Sequence, residues 1–208
     1  MNLPNKITLT RIFMIPVFVL FFYLDVMNGW NYLVAAIVFV LAAATDALDG
    51  HIARSRGLVT NLGKFLDPIA DKVLVSTALI LLLTRGGVFE VSFFSGWGLI
   101  VAGICVAVIL ARELIVSGFR MIAAGRGIVL AADKLGKLKT TFQDVSVALV
   151  LAGMSFLASQ AGVVIVAVGI FCFYVCTVLT VLSGVNYIVK NKQVLSEEKQ
   201  EQPEEAQG

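Results

Sequence analysis

The chain has 208 residues, enough for one ordinary domain. Hydrophobic residues make up 59% and charged residues only 14%, against roughly 45–50% and 25% in an average soluble protein. That little charge does not cover the surface of a small soluble domain, the apolar excess excludes disorder, and a formal net charge of +2 points to no nucleic acid partner.

The chain opens with MNLPNKITLTR, which mixes Asn, Lys, Thr and Arg with apolar residues. This pattern predicts an amphipathic segment lying in the membrane interface ahead of the first span. No cleavable signal peptide is expected, because the first apolar run follows a polar segment and lacks a small-residue cleavage site. Six apolar runs follow, near 12–24, 32–45, 73–84, 97–111, 145–158 and 162–189. Pro16 falls in the first and predicts a kink there. Only the last is long enough to cross a bilayer alone, which takes roughly 20 residues. The other five become spans if each helix extends into its charged flank, which puts polar groups at membrane depth.

Lys and Arg show on which side. Of the 16, only Arg85 falls in the connections 25–31, 85–96 and 159–161. The remainder lie at the N-terminus, in 54–72, in 112–139 and after 189, alternating with those connections as six spans require. Positive charge marks the cytoplasmic side. The expected fold is therefore an all-α polytopic membrane protein of six transmembrane helices, with both termini cytoplasmic in the cell membrane. Residues 1–190 form the membrane domain. Residues 191–208, with five Glu and one Pro, predict an acidic disordered tail. Cys105, Cys172 and Cys176 all lie in apolar runs, where packing is the better reading than a disulfide or a metal site.

Four carboxylates stand where the second and third spans meet the cytoplasmic side. Asp46 and Asp49 are spaced i,i+3, and Asp67 and Asp71 i,i+4, so each pair shares a helix face. The short loop between them predicts antiparallel neighbours whose four carboxylates share one space. A charge at membrane depth costs at least ~2.5 kcal/mol, and four anions repel one another. Divalent cations resolve both problems, and hard oxygen ligands suit Mg2+ or Mn2+. Two such ions bridge a phosphate or pyrophosphate for in-line displacement. Helix capping, or pairing with Arg54, Arg56, Lys64 and Lys72, explains one such Asp better than four. Gly50, Ala53 and Gly63 accompany the acids, and small residues there suit close approach by a flat ligand or by a neighbouring helix. His51 reads as a solvated or interface residue rather than a ligand.

The pattern from Asp46 through Asp49, Gly50, Ala53, Arg54, Gly63 and Asp67 to Asp71 fills eight fixed positions at fixed spacing. It resembles the defining motif of the CDP-alcohol phosphatidyltransferases. The resemblance implies a six-helix membrane enzyme, commonly a homodimer, with a polar cavity open to the cytoplasm. It implies that Asp46, Asp49, Asp67 and Asp71 hold the divalent metal on the pyrophosphate of CDP-diacylglycerol. It makes Asp71 the general base for the acceptor alcohol, and Gly50, Ala53 and Gly63 the lining of the cytidine pocket. Arg54 would meet phosphate or hold the motif loop.

A second polar cluster comprises Arg112, Glu113, Arg120, Lys137, Lys139 and Thr140. Arg112 follows an apolar stretch directly, so it lies near membrane depth and is expected to face a cavity or a partner. Arg and Lys there suit a phosphate on the acceptor. The plainer alternative is positive-inside topology with attraction to anionic lipid headgroups. That alternative is preferred for Arg126 and Lys134, and phosphate binding for Arg112, Lys137 and Lys139. The residues around Asn5, Thr8 and Arg11, and the two stretches Ala111–Glu113 and Gly136–Thr140, resemble the branch of the family whose acceptor is sn-glycerol 3-phosphate. Asn5, Thr8 and Arg11 then either close over the nucleotide or lipid phosphate or anchor the chain in the interface. Two alternatives are another acceptor (inositol phosphate, serine, choline or phosphatidylglycerol) and a small cation channel or transporter built on the carboxylates.

Overall fold

The computed structural model describes residues 3–25, 29–56, 61–91, 96–125 and 134–191, with side chains described within 9–25, 29–45, 69–91, 96–124 and 134–191. Six α-helices run in chain order: α1 Leu3–Tyr23, α2 Trp30–Arg56, α3 Asn61–Thr84, α4 Gly98–Gly125, α5 Lys134–Met154 and α6 Gln160–Lys190. No strand occurs among the described residues. In an apolar medium only a helix satisfies every backbone donor and acceptor within one segment. The apolar runs accordingly carry their helices into the polar flanks. α2 continues past Thr45 to Arg56, α3 begins at Asn61 well ahead of its apolar run, and α4 passes through Arg112 and Arg120.

α1 is continuous from Leu3 to Tyr23, so the N-terminal polar stretch joins the first apolar run without a break. Within it Arg11 is 0% exposed. Its Nε donates to the Ala42 carbonyl at 3.2 Å and to Thr45 Oγ1 at 3.4 Å. α1 also passes through Pro16, which is exposed. After α3, Gly86–Val91 forms a 3-10 helix that buries Val88 and Phe89. The expected tail beyond residue 191 and the loop holding Arg126 lie outside the described residues.

α5 and α6 make the most extensive helix pairing, and α1 packs on α2 and α3. Glycines allow the α5–α6 approach. A Cβ on Gly169 would stand 2.9 Å from the Val150 nitrogen, and one on Gly153 2.9 Å from the Val166 nitrogen. The core between helices is apolar, with Phe18, Phe22 and Phe39 at its centre. Cys176 is buried in it, and all three cysteines are free. The outside is apolar as well: Phe13, Ile37, Ile104, Leu114, Phe171 and Val185 are all exposed. Only the α6 run is expected from the sequence to cross a bilayer alone, but α4 over Gly98–Ala124 is also long and apolar enough, because its apolar residues continue past Arg112 and Glu113; mean hydropathy is 2.5 for α4 and 2.6 for α6 over Gln160–Lys190. Shorter apolar helices cover Leu9–Tyr23 and Trp30–Thr45.

At the end of the bundle where α1 and α3 finish, Arg85 sits among aromatic rings. Its guanidinium carbon lies 5.9 Å from the Phe22 centroid, 5.8 Å from Tyr23 and 5.7 Å from Tyr32. The opposite end carries the polar cavity.

Candidate active site

Four helices converge on a cavity of about 260 Å³. α3 supplies Asp71 and Lys72, α4 supplies Arg112, Glu113, Val116, Ser117 and Arg120, α5 supplies Gly136, Lys137, Lys139 and Thr140, and α6 supplies Tyr187. The α4 set follows helical periodicity, so one face of α4 forms a wall. Five basic side chains therefore meet two carboxylates around one space. Arg112, Glu113, Arg120, Lys137, Lys139 and Thr140 all border it together with Asp71.

Each cation is held differently. Lys139 is 0% exposed and forms an ion pair with Glu113, whose side chain is 14% exposed. Arg112 donates from an Nη to Ser183 Oγ at 3.0 Å. It also lies against Gly184, where a Cβ would stand 3.0 Å from Arg112 Cγ. Arg120 donates from Nε to the Tyr187 hydroxyl at 3.2 Å, and its guanidinium carbon is 5.4 Å from that ring's centroid. Lys137 is exposed. The Thr140 hydroxyl donates back to the Lys137 carbonyl at 2.8 Å, and the Ser117 hydroxyl to the Glu113 carbonyl at 2.5 Å. Such back-bonding satisfies hydroxyls within their own helix.

The remaining candidates divide in two. Asn5 and Thr8 fall on α1, Asp46, Asp49, Gly50, Ala53 and Arg54 on α2, and Gly63 and Asp67 on α3. Their side chains lie outside the described residues. Arg11 is described, and it bonds α2 from within the bundle. Val116, Ser117 and Tyr187 line the cavity without having been singled out from the sequence, and Lys72 and Gly136, named there only as a possible ion-pair partner and within a family-like stretch, line it too. Ser117 was reachable, being i+4 from Glu113. Tyr187 was not, because it stands in a long apolar run with nothing to mark it. The donor set on α2 and α3 consists of carboxylate oxygens alone, and Asp71 brings one of them to the cavity wall. Hard donors of this kind fit a divalent metal such as Mg2+ or Mn2+.

Comparison with known sequences gives consistent similarities. The profile of the family described as CDP-alcohol phosphatidyltransferase matches residues 1–182. The chain is 39% identical over 207 residues to the CDP-diacylglycerol–glycerol-3-phosphate 3-phosphatidyltransferase of Bacillus subtilis strain 168, covering 93% of this chain and 97% of that protein. It is 38% identical over 189 residues to the protein of the same name from Escherichia coli K12, covering 90% and 93%. A protein of that name from Rickettsia typhi is 37% identical over 187 residues, covering 89% and 94%.

Proposed function

The chain belongs to the CDP-alcohol phosphatidyltransferase family, and we propose that it transfers the phosphatidyl group of CDP-diacylglycerol to sn-glycerol 3-phosphate. The products are phosphatidylglycerophosphate and CMP, a step of phospholipid biosynthesis. The observation that carries the acceptor is the cavity itself: five basic side chains around Asp71 in one half-open space. Two anionic substrates must meet, and a basic excess lining their meeting place offsets their repulsion. The names of the three relatives agree with this acceptor.

In the reaction, Asp71 takes the proton of the acceptor hydroxyl. The resulting oxygen attacks the β-phosphorus, the one bearing the lipid. A P–O bond forms to the acceptor, the pyrophosphate bond breaks, and CMP leaves with the electron pair. Arg112, Arg120, Lys137 and Lys139 hold the acceptor phosphate so that its hydroxyl meets the β-phosphorus in line. Glu113 pairs with Lys139 and holds it in place within the protein. Asp46, Asp49, Asp67 and Asp71 would hold Mg2+ or Mn2+ against the pyrophosphate. Such a metal supplies charge neutralisation on the phosphoryl oxygens. Members of the family generally depend on a divalent metal. Gly50, Ala53 and Gly63 line the cytidine pocket, with Arg54 on phosphate or on the motif loop. Asn5, Thr8 and Arg11 belong to the nucleotide end of the site.

The same reading makes the chain a multi-pass protein of the cytoplasmic membrane. Its six helices span, with membrane lipids around the apolar exterior, and both termini and the cavity lie on the cytoplasmic side. The distribution of Lys and Arg supports this sidedness, and the apolar exterior supports the spans. The working unit is a homodimer, as in the family.

An acceptor panel tests the proposal. Purified enzyme receives labelled CDP-diacylglycerol with sn-glycerol 3-phosphate, inositol phosphate, serine, choline or phosphatidylglycerol, before and after metal depletion and restoration. The expected product is phosphatidylglycerophosphate, formed only with metal. Product from another alcohol alone would replace the acceptor, and ion flux in liposomes without CDP-dependent chemistry would replace the enzyme.

A further inference from the structure

Tyr187 lies in the apolar sequence of α6, yet it borders the cavity. It is 2% exposed. Val116 and Phe119 of α4 pack around its ring, with the Phe119 ring centroid 6.1 Å away at a steep angle. The ring is thus fixed, and its hydroxyl is fixed by Arg120.

A phenol hydroxyl has one proton to donate and two lone pairs to accept with. Arg120 Nε–H occupies one lone pair at 3.2 Å. A guanidinium has only donors, so it cannot receive the phenol proton. Among the described residues, no acceptor takes that proton. The carboxylate of Glu113 on the same wall is engaged by Lys139. A buried donor left unused is costly, and such groups in native proteins usually have a partner. Here the available space is the cavity, and its surplus positive charge selects an anion.

We propose that Tyr187 binds substrate: its O–H donates to the phosphate of the acceptor alcohol, while Arg120 orients the oxygen and contributes charge beside it. The inference rests on reading the cavity as the acceptor-phosphate site. It adds a neutral donor to a set otherwise made of cations. A neutral donor of fixed direction recognises the tetrahedral oxygen array of a phosphate and adds no further like-charge repulsion.

Tyr187→Phe is the test, because it keeps the ring under the Arg120 guanidinium and removes the hydroxyl together with the hydrogen bond it accepts from Arg120; Arg120→Lys, which loses that same bond but leaves the phenol O–H, is the control. The KM for sn-glycerol 3-phosphate should rise about tenfold, the scale of one hydrogen bond to a charged group. The KM for CDP-diacylglycerol should not move, and the thermal midpoint in detergent should fall only by what loss of the Arg120 hydrogen bond accounts for, the same fall as in Arg120→Lys, whose acceptor KM should rise less. Inorganic phosphate, used as a competitive inhibitor against the acceptor, should weaken by the same factor. An unchanged KM for the acceptor would overturn the proposal. So would an equal rise for both substrates, or phosphate inhibition indifferent to the substitution. If the wild-type enzyme ignores sn-glycerol 3-phosphate in the acceptor panel, the functional reading fails. If it uses that acceptor and Tyr187→Phe does as well, only this inference fails.

Discussion

Arg120 and Arg85 both rest on aromatic rings, at opposite ends of the bundle. About 20 Å of α3 separates Asp71, beside Arg120, from Arg85. Arg120 lies over one ring and donates its Nε–H to that ring's hydroxyl. Arg85 has three rings within 6 Å, and among the described residues its buried Nε–H has no partner. Aromatic contact alone is enough to place a cation. A site needs more: hydrogen bonds that fix direction, carboxylates that balance charge, and space for a ligand. Those features accumulate around Arg120 and not around Arg85.

The largest effect should come from the cavity's base. Asp71→Asn preserves size but exchanges an acceptor oxygen for an amide donor and removes the proposed base, and turnover should fall about 10²–10⁴-fold, the usual contribution of a general base. CMP release from detergent-solubilised protein of unchanged thermal midpoint measures this. Normal release would remove the base from the polar end and most of the contrast with it.

The charge balance of that end is the next thing to break. Lys139 is fully buried, and Glu113 is its ion-pair partner. Glu113→Ala leaves a buried cation uncompensated, which destabilises by about 3–5 kcal/mol. Adding Lys139→Met should recover much of that loss in thermal unfolding, because a well-packed apolar pair replaces a buried ion pair at little cost. The double variant should stay inactive towards the phosphorylated acceptor. A single variant as stable as the wild type would mean that the pair does not hold the wall together.

These features differ in how legible they are in the sequence. The extension of α2 and α3 into charged flanks follows from the shortness of their apolar cores, so the polar end is readable. The basic cluster was readable too, since Arg112 interrupts an apolar stretch and Gly136 to Thr140 repeats basic residues. Two contacts of Arg11 were not readable, since a carbonyl and a hydroxyl on α2 accept from it and such acceptors leave no mark in a sequence. Tyr187, Ser183 and Gly184 were hidden for a related reason: in an apolar helix, small and aromatic residues look like packing. Only the approach of α4 gives them Arg112 and Arg120 to hold.

Lys137 probes the rim of the cavity. It is exposed, unlike Lys139, so solvent weakens any contact it makes. Lys137→Ala should raise the KM for sn-glycerol 3-phosphate about two- to fivefold, the range of an exposed charge pair, and leave the KM for the lipid nucleotide unchanged. Equal changes in both would assign Lys137 to membrane sidedness instead.

The smallest effect belongs to the far end. Arg85→Gln removes a cation held by Phe22, Tyr23 and Tyr32, the three rings that join α1 and α2 to the end of α3. The loss should be about 0.5–1 kcal/mol of stability, typical of a cation on aromatic faces at partly exposed sites. Neither KM nor turnover should change, because no group of the cavity contacts this end. Thermal unfolding and initial rates on the same preparation separate the two quantities. A change in acceptor KM without a change in stability would show the ends to be coupled along α3. The distinction drawn between Arg85 and Arg120 would then be one of degree, with aromatic clamping at one end helping to set the position of Asp71 at the other.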